Sequence, residues 1–353
     1  MRIKKKALII LTPGFPENEQ DSTCLPERQA FVKALQETYP HIQVIVLSFQ
    51  YPFFARHYEW NQCQVRSFNG RNKGKFTRRL VWLRVWIDLL RLRRQFHIEG
   101  LLSFWLGECA LIGNRFAKMY GLKHYCCLLG QDAKANNRFV PLVRPGPDML
   151  IAISDFLADE FFKNYLIRPR HIIPAGIDTR WFGKNELPRE IDIIGVGSLI
   201  PLKQFDIWLK VVAKLVQVFP HLKATLIGKG PEMNRLIALA GSLGIEDHVR
   251  FEGELPHEQV LLYMQRSRLL LHTSDYEGFG LVMTEALYAG CAVISFCNPM
   301  KETIQNFYVA KNSGEMIQKA IQLLPLSDHV SITPYEVQEG VVKVMNLFSP
   351  NKH

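Results

Sequence analysis

Short apolar runs recur along this chain, each long enough for a strand and too short for a buried helix, with segments of helical length between them. KALIIL, QVIVLSF, GLLSF and HYCCLL do so in the first half, and IDIIGVG, LKATLIG, RLLLHTS and CAVISF in the second, with HVRFEG as a shorter run. Helices are expected between them, over 26–39, 78–96 and 107–120 among others. β-rich runs separated by helices imply parallel strands joined by crossovers. The expected fold class is therefore α/β, with two Rossmann-like doubly wound domains. A chain of 353 residues is long enough for two cores.

The Pro- and Gly-rich stretch IIPAGIDTRWFGKNELPRE is the natural boundary. It divides the chain into an N-terminal domain over 1–178 and a second domain over 179–330. The tail PYEVQEGVVKVMNLF reads as one more helix within 331–353, expected to pack back on the first domain. The start, MRIKKKALIILTPGFPE, mimics a signal peptide but lacks a small-residue cleavage site, so it reads as a buried first strand. The longest apolar runs, such as ALIIL, are far too short to span a bilayer. Seven cysteines form an odd set with no CxxC pair and no His at metal spacing, which suits reduced core thiols in the cytoplasm.

Charge is unevenly spread. Residues 1–180 carry a net +12 and the remainder −2, and residues 53–96 alone carry +9. Such asymmetry points to an anionic partner for the first half: a membrane surface, a lipid phosphate or nucleic acid. The helix over 78–96, RRLVWLRVWIDLLRLRRQF, places Arg84, Asp88, Arg91 and Gln95 on one narrow stripe and apolar residues over most of the rest. A helix that apolar is either buried on more than one side or enters a membrane interface with its Trp and Arg residues at the headgroups. Its aromatic residues do not form the polar stacking platform that single-stranded nucleic acid needs, so nucleic acid is not the expected partner.

Ligands of open α/β sheets bind outside the carboxyl ends of the strands. The loops there read LTPGFPENE, LLGQDAK, GVGSLIPLK, GKGPE, FEGEL and HTSDYEGFG, nearly all with Gly, and together they indicate a cleft that the two domains face across. EGFGLVMTEALYAG sets Glu277 and Glu285 eight positions apart, with glycines that suit a loop and a helix starting near Leu281. The free amides and dipole of such a helix suit an anion, and the flanking carboxylates suit hydroxyls.

With those loops in place, the chain resembles GT-B glycosyltransferases of the large retaining family 4. EGFGLVMTEALYAGCAVIS is similar to the family's Glu–seven residues–Glu motif and the strand after it, and Ser274 stands three residues before the first Glu. GVGSLIPLKQFD, LIGKGPE and VRFEGELPHEQV resemble its donor-domain loops in order and spacing, and IAISDFLADEF and IIPAGIDTRWF its segments before the linker. The resemblance covers about residues 124–300 by motif and the whole chain by layout.

The resemblance implies a retaining, metal-independent transfer of a sugar from a UDP- or GDP-sugar to a glycan or lipid-linked acceptor, with no permanently bound cofactor; the cysteines and the basic first half add the expectation of a cytoplasmic enzyme, peripheral on the inner face of the membrane. It implies that Glu285 accepts from the ribose hydroxyls, and that amides at Phe279, Gly280 and Leu281 meet the donor sugar and diphosphate. It further implies that Glu277 lies by the reacting carbon and that Lys203 neutralises the leaving diphosphate. Gly197 and Ser198 belong to the same loop, Gly228 and Gly230 would allow close approach of the nucleotide, and the backbone from Gly253 to Leu255 would read the base. Gly14 and the turn at Asp132 would close over the donor from the first domain, Asp132 positioning acceptor or donor hydroxyls. Two departures stand out: Ser198 occupies the place of a usual Arg, with Lys229 and Lys301 as stand-in cations, and the segment after CAVISF is shortened. A dinucleotide-dependent oxidoreductase lacks its third Gly at Ile200. The paired glutamates argue against an epimerase or phosphorylase. A non-catalytic protein binding a nucleotide sugar or another anionic ligand on the same fold is the remaining alternative.

Overall fold

In the computed structural model, which describes residues 4–183, 187–326 and 330–349, the apolar runs become strands of two largely parallel sheets. The first three residues, 184–186 of the boundary stretch, 327–329, and the last four residues of the tail lie outside the described residues. One unit runs up to Gly176 and resumes at Glu336; the other spans Ile177–Tyr335.

The first unit strings together β1 (Lys6–Gly14), α1 (Pro26–Thr38), β2 (Gln43–Tyr51), β3 (His57–Trp60), β4 (Cys63–Ser67), α2 (Lys75–Gln95), β5 (His97–Phe104), α3 (Glu108–Tyr120), β6 (His124–Leu128), the short α4 (Val140–Val143), β7 (Leu150–Ala152), α5 (Asp155–Tyr165) and β8 (His171–Ile172). Its sheet order is β3-β4-β2-β1-β5-β6-β7-β8, and every described pair is parallel except β3 with β4. β1 lies at the centre, where both faces are covered, so Ala7 to Leu11 have no exposed surface. β3 and β4 occupy what reads in the sequence as a basic connection. HYEW is short and polar because it lies at the sheet edge, with no second buried face to demand an apolar run.

α2 settles one ambiguity of the sequence. Val81, Val85, Leu89 and Leu92 recur at helical spacing and bury against the sheet. Asp88, read above onto a polar stripe with the exposed Arg84 and Arg91, is instead 3% exposed and pairs with Arg66 of β4 at 2.8 Å. On the outer side Phe76, Leu80, Leu83 and Ile87 stay exposed, again at helical spacing. The helix is thus buried along one side and apolar along another. No helix among the described residues is long and apolar enough to cross a membrane.

The second unit contains β9 (Ile191–Val196), α6 (Phe205–Val218), β10 (Ala224–Ile227), α7 (Met233–Ser242), β11 (Val249–Gly253), α8 (His257–Gln265), β12 (Ser267–His272), α9 (Leu281–Tyr288), β13 (Ala292–Ser295), β14 (Phe307–Val309) and α10 (Ser313–Leu323). Its parallel sheet has the order β11-β10-β9-β12-β13-β14. α6 buries Phe205, Trp208, Leu209, Val212 and Leu215 on one stripe. The Trp208 indole lies 2.9 Å from where a Cβ on Gly195 would sit, so that strand position has no room for a side chain.

The chain then returns to the first unit as α11 (Val337–Phe348), which packs on α1. The Phe348 ring occupies the space a Cβ on Gly100 would take, 2.4 Å away. The Lys123 ammonium donates to the carbonyls of Leu347 and Phe348, at 2.8 and 3.0 Å, and the Tyr125 hydroxyl donates to Leu347 at 2.9 Å. A cation on the unpaired carbonyls of a helix end is favourable both as a hydrogen-bond donor and against the helix dipole.

Candidate active site

The second unit gathers most of the sequence-predicted residues at the carboxyl edge of its sheet. β9 runs into Gly197 and Ser198, then a short turn over Pro201–Lys203 that leads into α6. β10 runs into Gly228, and β11 ends at Gly253. β12 runs into the loop 273–280 that carries Glu277.

The glycines of the first two loops have a reason internal to the protein. A Cβ on Gly228, whose φ is +148°, would lie 1.8 Å from the Gly197 carbonyl oxygen, and one on Gly230 would lie 2.3 Å from the Leu199 carbonyl oxygen. Close passage of one loop over the other requires both. At Gly14, in the first unit, a Cβ would meet Tyr51, Cys24 and Leu25 at ordinary contact distance, and at Gly253 it would meet nothing within 4 Å, although the φ of +72° there favours glycine. Leu255 packs partly buried against the core beside α9.

Lys203 and Glu277 meet directly: the ammonium donates to Glu277 Oε2 at 2.5 Å, with both side chains under one-fifth exposed. A third residue, absent from the sequence reading, completes this group. His272, the last residue of β12, is buried and brings Nε2 to 3.3 Å from the same Glu277 oxygen. Burial alone would raise the Glu277 carboxyl. The His272 hydrogen bond and then the Lys203 charge outweigh that and bring it from 4.5 to about 2. Burial likewise pushes the His272 imidazole below its usual 6.5, against the pull of Glu277.

α9 starts at Leu281 behind Gly280, which sits in the left-handed region and offers no side-chain cap. A Cβ on Gly280 would lie 2.9 Å from Glu277 Cγ, so the carboxylate loop folds tightly against the helix start. Phe279 is buried, with its ring tilted against Tyr335 at 5.6 Å. Glu285, one turn into α9, is 6% exposed and accepts a hydrogen bond from His257 Nε2 at 2.7 Å. The His257 ring in turn meets Trp181 edge-on, with centroids 4.8 Å apart. His257 is the second residue that the sequence reading passed over.

Other expected residues are less engaged. Ser198 is exposed, and Lys229 reaches Glu254 at 3.4 Å across a solvated surface. Asp132 belongs to the first unit. Its carboxylate is buried and accepts from the backbone amides of Leu106, Leu129 and Gly130 at 2.9, 3.0 and 2.9 Å. The geometry gives it the work of tying two loops together, with most of its accepting capacity already used.

The chain is similar to known proteins in fold and, over part of its length, in sequence. The fold is that of GT-B glycosyltransferases: the Anabaena protein HepE, crystallised with UDP and glucose, superposes with a TM-score of 0.68 at 14% identity, over 97% of this chain and 98% of that one. More particularly, residues 178–329 match the family model described as glycosyl transferases group 1. An uncharacterised glycosyltransferase of Haemophilus influenzae is 33% identical over 186 residues, covering 50% of this chain and 51% of its own. The N-acetyl-alpha-D-glucosaminyl L-malate synthase of Bacillus anthracis is 32% identical over 183 residues, covering 47% and 46%. The chain thus spans about half the length of the curated relatives it matches.

Proposed function

We propose that this protein is a retaining glycosyltransferase that moves a sugar from a nucleoside-diphosphate sugar to a glycan or lipid-linked acceptor. The observation that carries this reading is the Lys203–Glu277 pair beside the uncapped start of α9. A diphosphate placed there meets an ammonium and free helix amides, and a sugar beyond it meets a carboxylate that is ionised at neutral pH. Glu285 would take the ribose hydroxyls, and the Gly253–Leu255 backbone the base. Lys203 and the amides would carry the leaving charge that a divalent metal carries elsewhere, so transfer should survive chelation. The mechanism we favour, in line with the resemblance, is front-face displacement, the leaving phosphate assisting deprotonation of the acceptor.

The acceptor side rests on α2. Its exposed Phe76, Leu80, Leu83 and Ile87, with Arg79, Arg84, Arg91 and Arg94 also exposed, suit an anionic membrane surface that presents a lipid-linked acceptor. The first half's net charge of +12 acts in the same sense.

The deciding experiment is a thermal-shift panel of UDP, GDP, ADP, CMP, dTDP and NAD on wild type and Glu285→Ala. Ligand at a hundred times its Kd stabilises by about 2.7 kcal/mol. One nucleoside diphosphate should raise Tm in wild type and not in the variant. A shift with NAD alone, or with none of the six, would overturn the donor assignment.

A further inference from the structure

Resting on that reading, we propose that His272 is a positioning residue that holds Glu277 to the donor sugar while Lys203 is drawn to the diphosphate. The argument begins with the two partners of Glu277. Lys203 and His272 both meet Oε2, and no donor among the described residues is shown on Oε1. One oxygen is anchored and the other is left for a sugar hydroxyl. Lys203, however, is also the cation that the proposed function gives to the diphosphate. Two phosphates attract an ammonium more strongly than one carboxylate does, so donor binding takes away the Glu277 anchor that carries the charge. His272 cannot be drawn off in the same way, because it is enclosed by β12, β13 and the loop after them.

The hydrogen-bond chain behind His272 fixes which nitrogen carries the proton. The Cys297 amide donates to Ser295 Oγ at 3.0 Å, and Ser295 Oγ lies 3.2 Å from His272 Nδ1. Ser295 has no exposed surface. A carboxylate only accepts, so Nε2 must donate toward Glu277. A neutral imidazole then has Nδ1 as an acceptor for the Ser295 hydroxyl. Ser274 Oγ, 3.3 Å from Nε2, shares the same proton. Buried, neutral and of one tautomer, His272 supplies a donor whose position does not depend on the charges around it.

The test compares UDP with UDP-glucose, and GDP with GDP-mannose, in binding titrations of wild type, His272→Leu, His272→Gln and Ser295→Ala. The glutamine amide can reach the place of Nε2 and donate there. We expect His272→Leu to bind the nucleotide as wild type does and to lose about tenfold of the extra affinity for the nucleotide sugar. His272→Gln should recover most of it. An unchanged preference in His272→Leu overturns the proposal, as does equal loss for nucleotide and nucleotide sugar. If His272→Leu does not fold, Ser295→Ala decides: a preference as in wild type overturns the proposal, and a reduced one supports it. Nitrogen NMR of the histidines, assigned by difference against His272→Gln, gives an independent reading. A protonated Nε2 and bare Nδ1 at neutral pH support the proposal, and the reverse tautomer overturns it. Wild type that binds neither UDP nor GDP would instead remove the donor reading on which this inference stands.

Discussion

At the scale of single residues, the candidate site divides its work between groups that meet a ligand and groups that meet each other. Glu285→Gln keeps the size of the side chain and removes its charge, so affinity for the cognate nucleoside diphosphate should fall about tenfold with little change in Tm, measured by titration calorimetry. Gly228→Ala should behave in the opposite way. Its methyl would fall on the Gly197 carbonyl at a φ that side chains avoid, and we expect about 3 kcal/mol of destabilisation in urea melts even without ligand. Retained stability would mean that the two loops yield where the structure has them packed. The glycines also show how far sequence reasoning reached. That Gly197, Gly228 and Gly230 lie in loops at strand ends was legible, because a short apolar run ending in Gly-x-Gly admits few other readings. That they accommodate one another's backbone was not, since nothing local in GVGSL and GKGPE brings them together. His257 and His272 were invisible for the same reason. Each is an ordinary residue until the fold brings it against a glutamate, although a histidine closing an apolar strand just before an acidic loop was a signal that could have been used.

At the scale of the element, α2 is the instructive case. Its composition was legible and its orientation was not, because the deciding contact, Asp88 with Arg66, joins residues 22 positions apart. Removing one partner of a buried ion pair leaves an uncompensated charge, so Asp88→Ala should cost about 3 kcal/mol in chemical denaturation. The outer stripe should respond differently. Changing Phe76 and Leu83 to Ser should leave stability within about 0.5 kcal/mol, since neither is buried. The same double variant should lose cosedimentation with phosphatidylglycerol vesicles. Wild type that sediments equally with phosphatidylcholine, or variant that sediments as well as wild type, would remove the anionic membrane from the proposal. β3, β4, β14 and α10 are not predicted from the sequence: the three strands are only three to five residues long, and α10 follows the segment that is shorter than the family's.

At the scale of the whole molecule, buried titratable groups give the fold a direction of acid sensitivity. His124 is held at about 3, first by burial and then by the nearby Lys118 charge, and burial also lowers His272. Both bind fewer protons folded than unfolded, so stability is lost as pH falls below about 6.5, for His124 down to about 3. Glu277, lowered to about 2, loses its contribution later, between about 4.5 and 2. The free energy of unfolding should therefore decline from pH 7 to pH 5, before most carboxylates titrate, and replacing His124 with Gln should flatten that decline. A profile level from 7 to 5 would contradict the burial of these rings. The alternation of strands and helices at the centre of both units was legible, because a parallel strand buried on both faces needs its own apolar run, whereas the edge strands β3 and β14 do not.

One consequence follows from α11, whose end is held by Lys123 and whose last ring fills the space over Gly100. During synthesis the first unit leaves the ribosome with α1 and β5 lacking their cover, and the covering helix is made only after the other unit has emerged, roughly 160 residues later. At about 5–20 residues per second that interval lasts roughly ten to thirty seconds. The apolar surface under α11 must be kept from unwanted partners for that long. A chain broken off anywhere in the second unit would never bury it, and would be recognisable to quality control as unfinished.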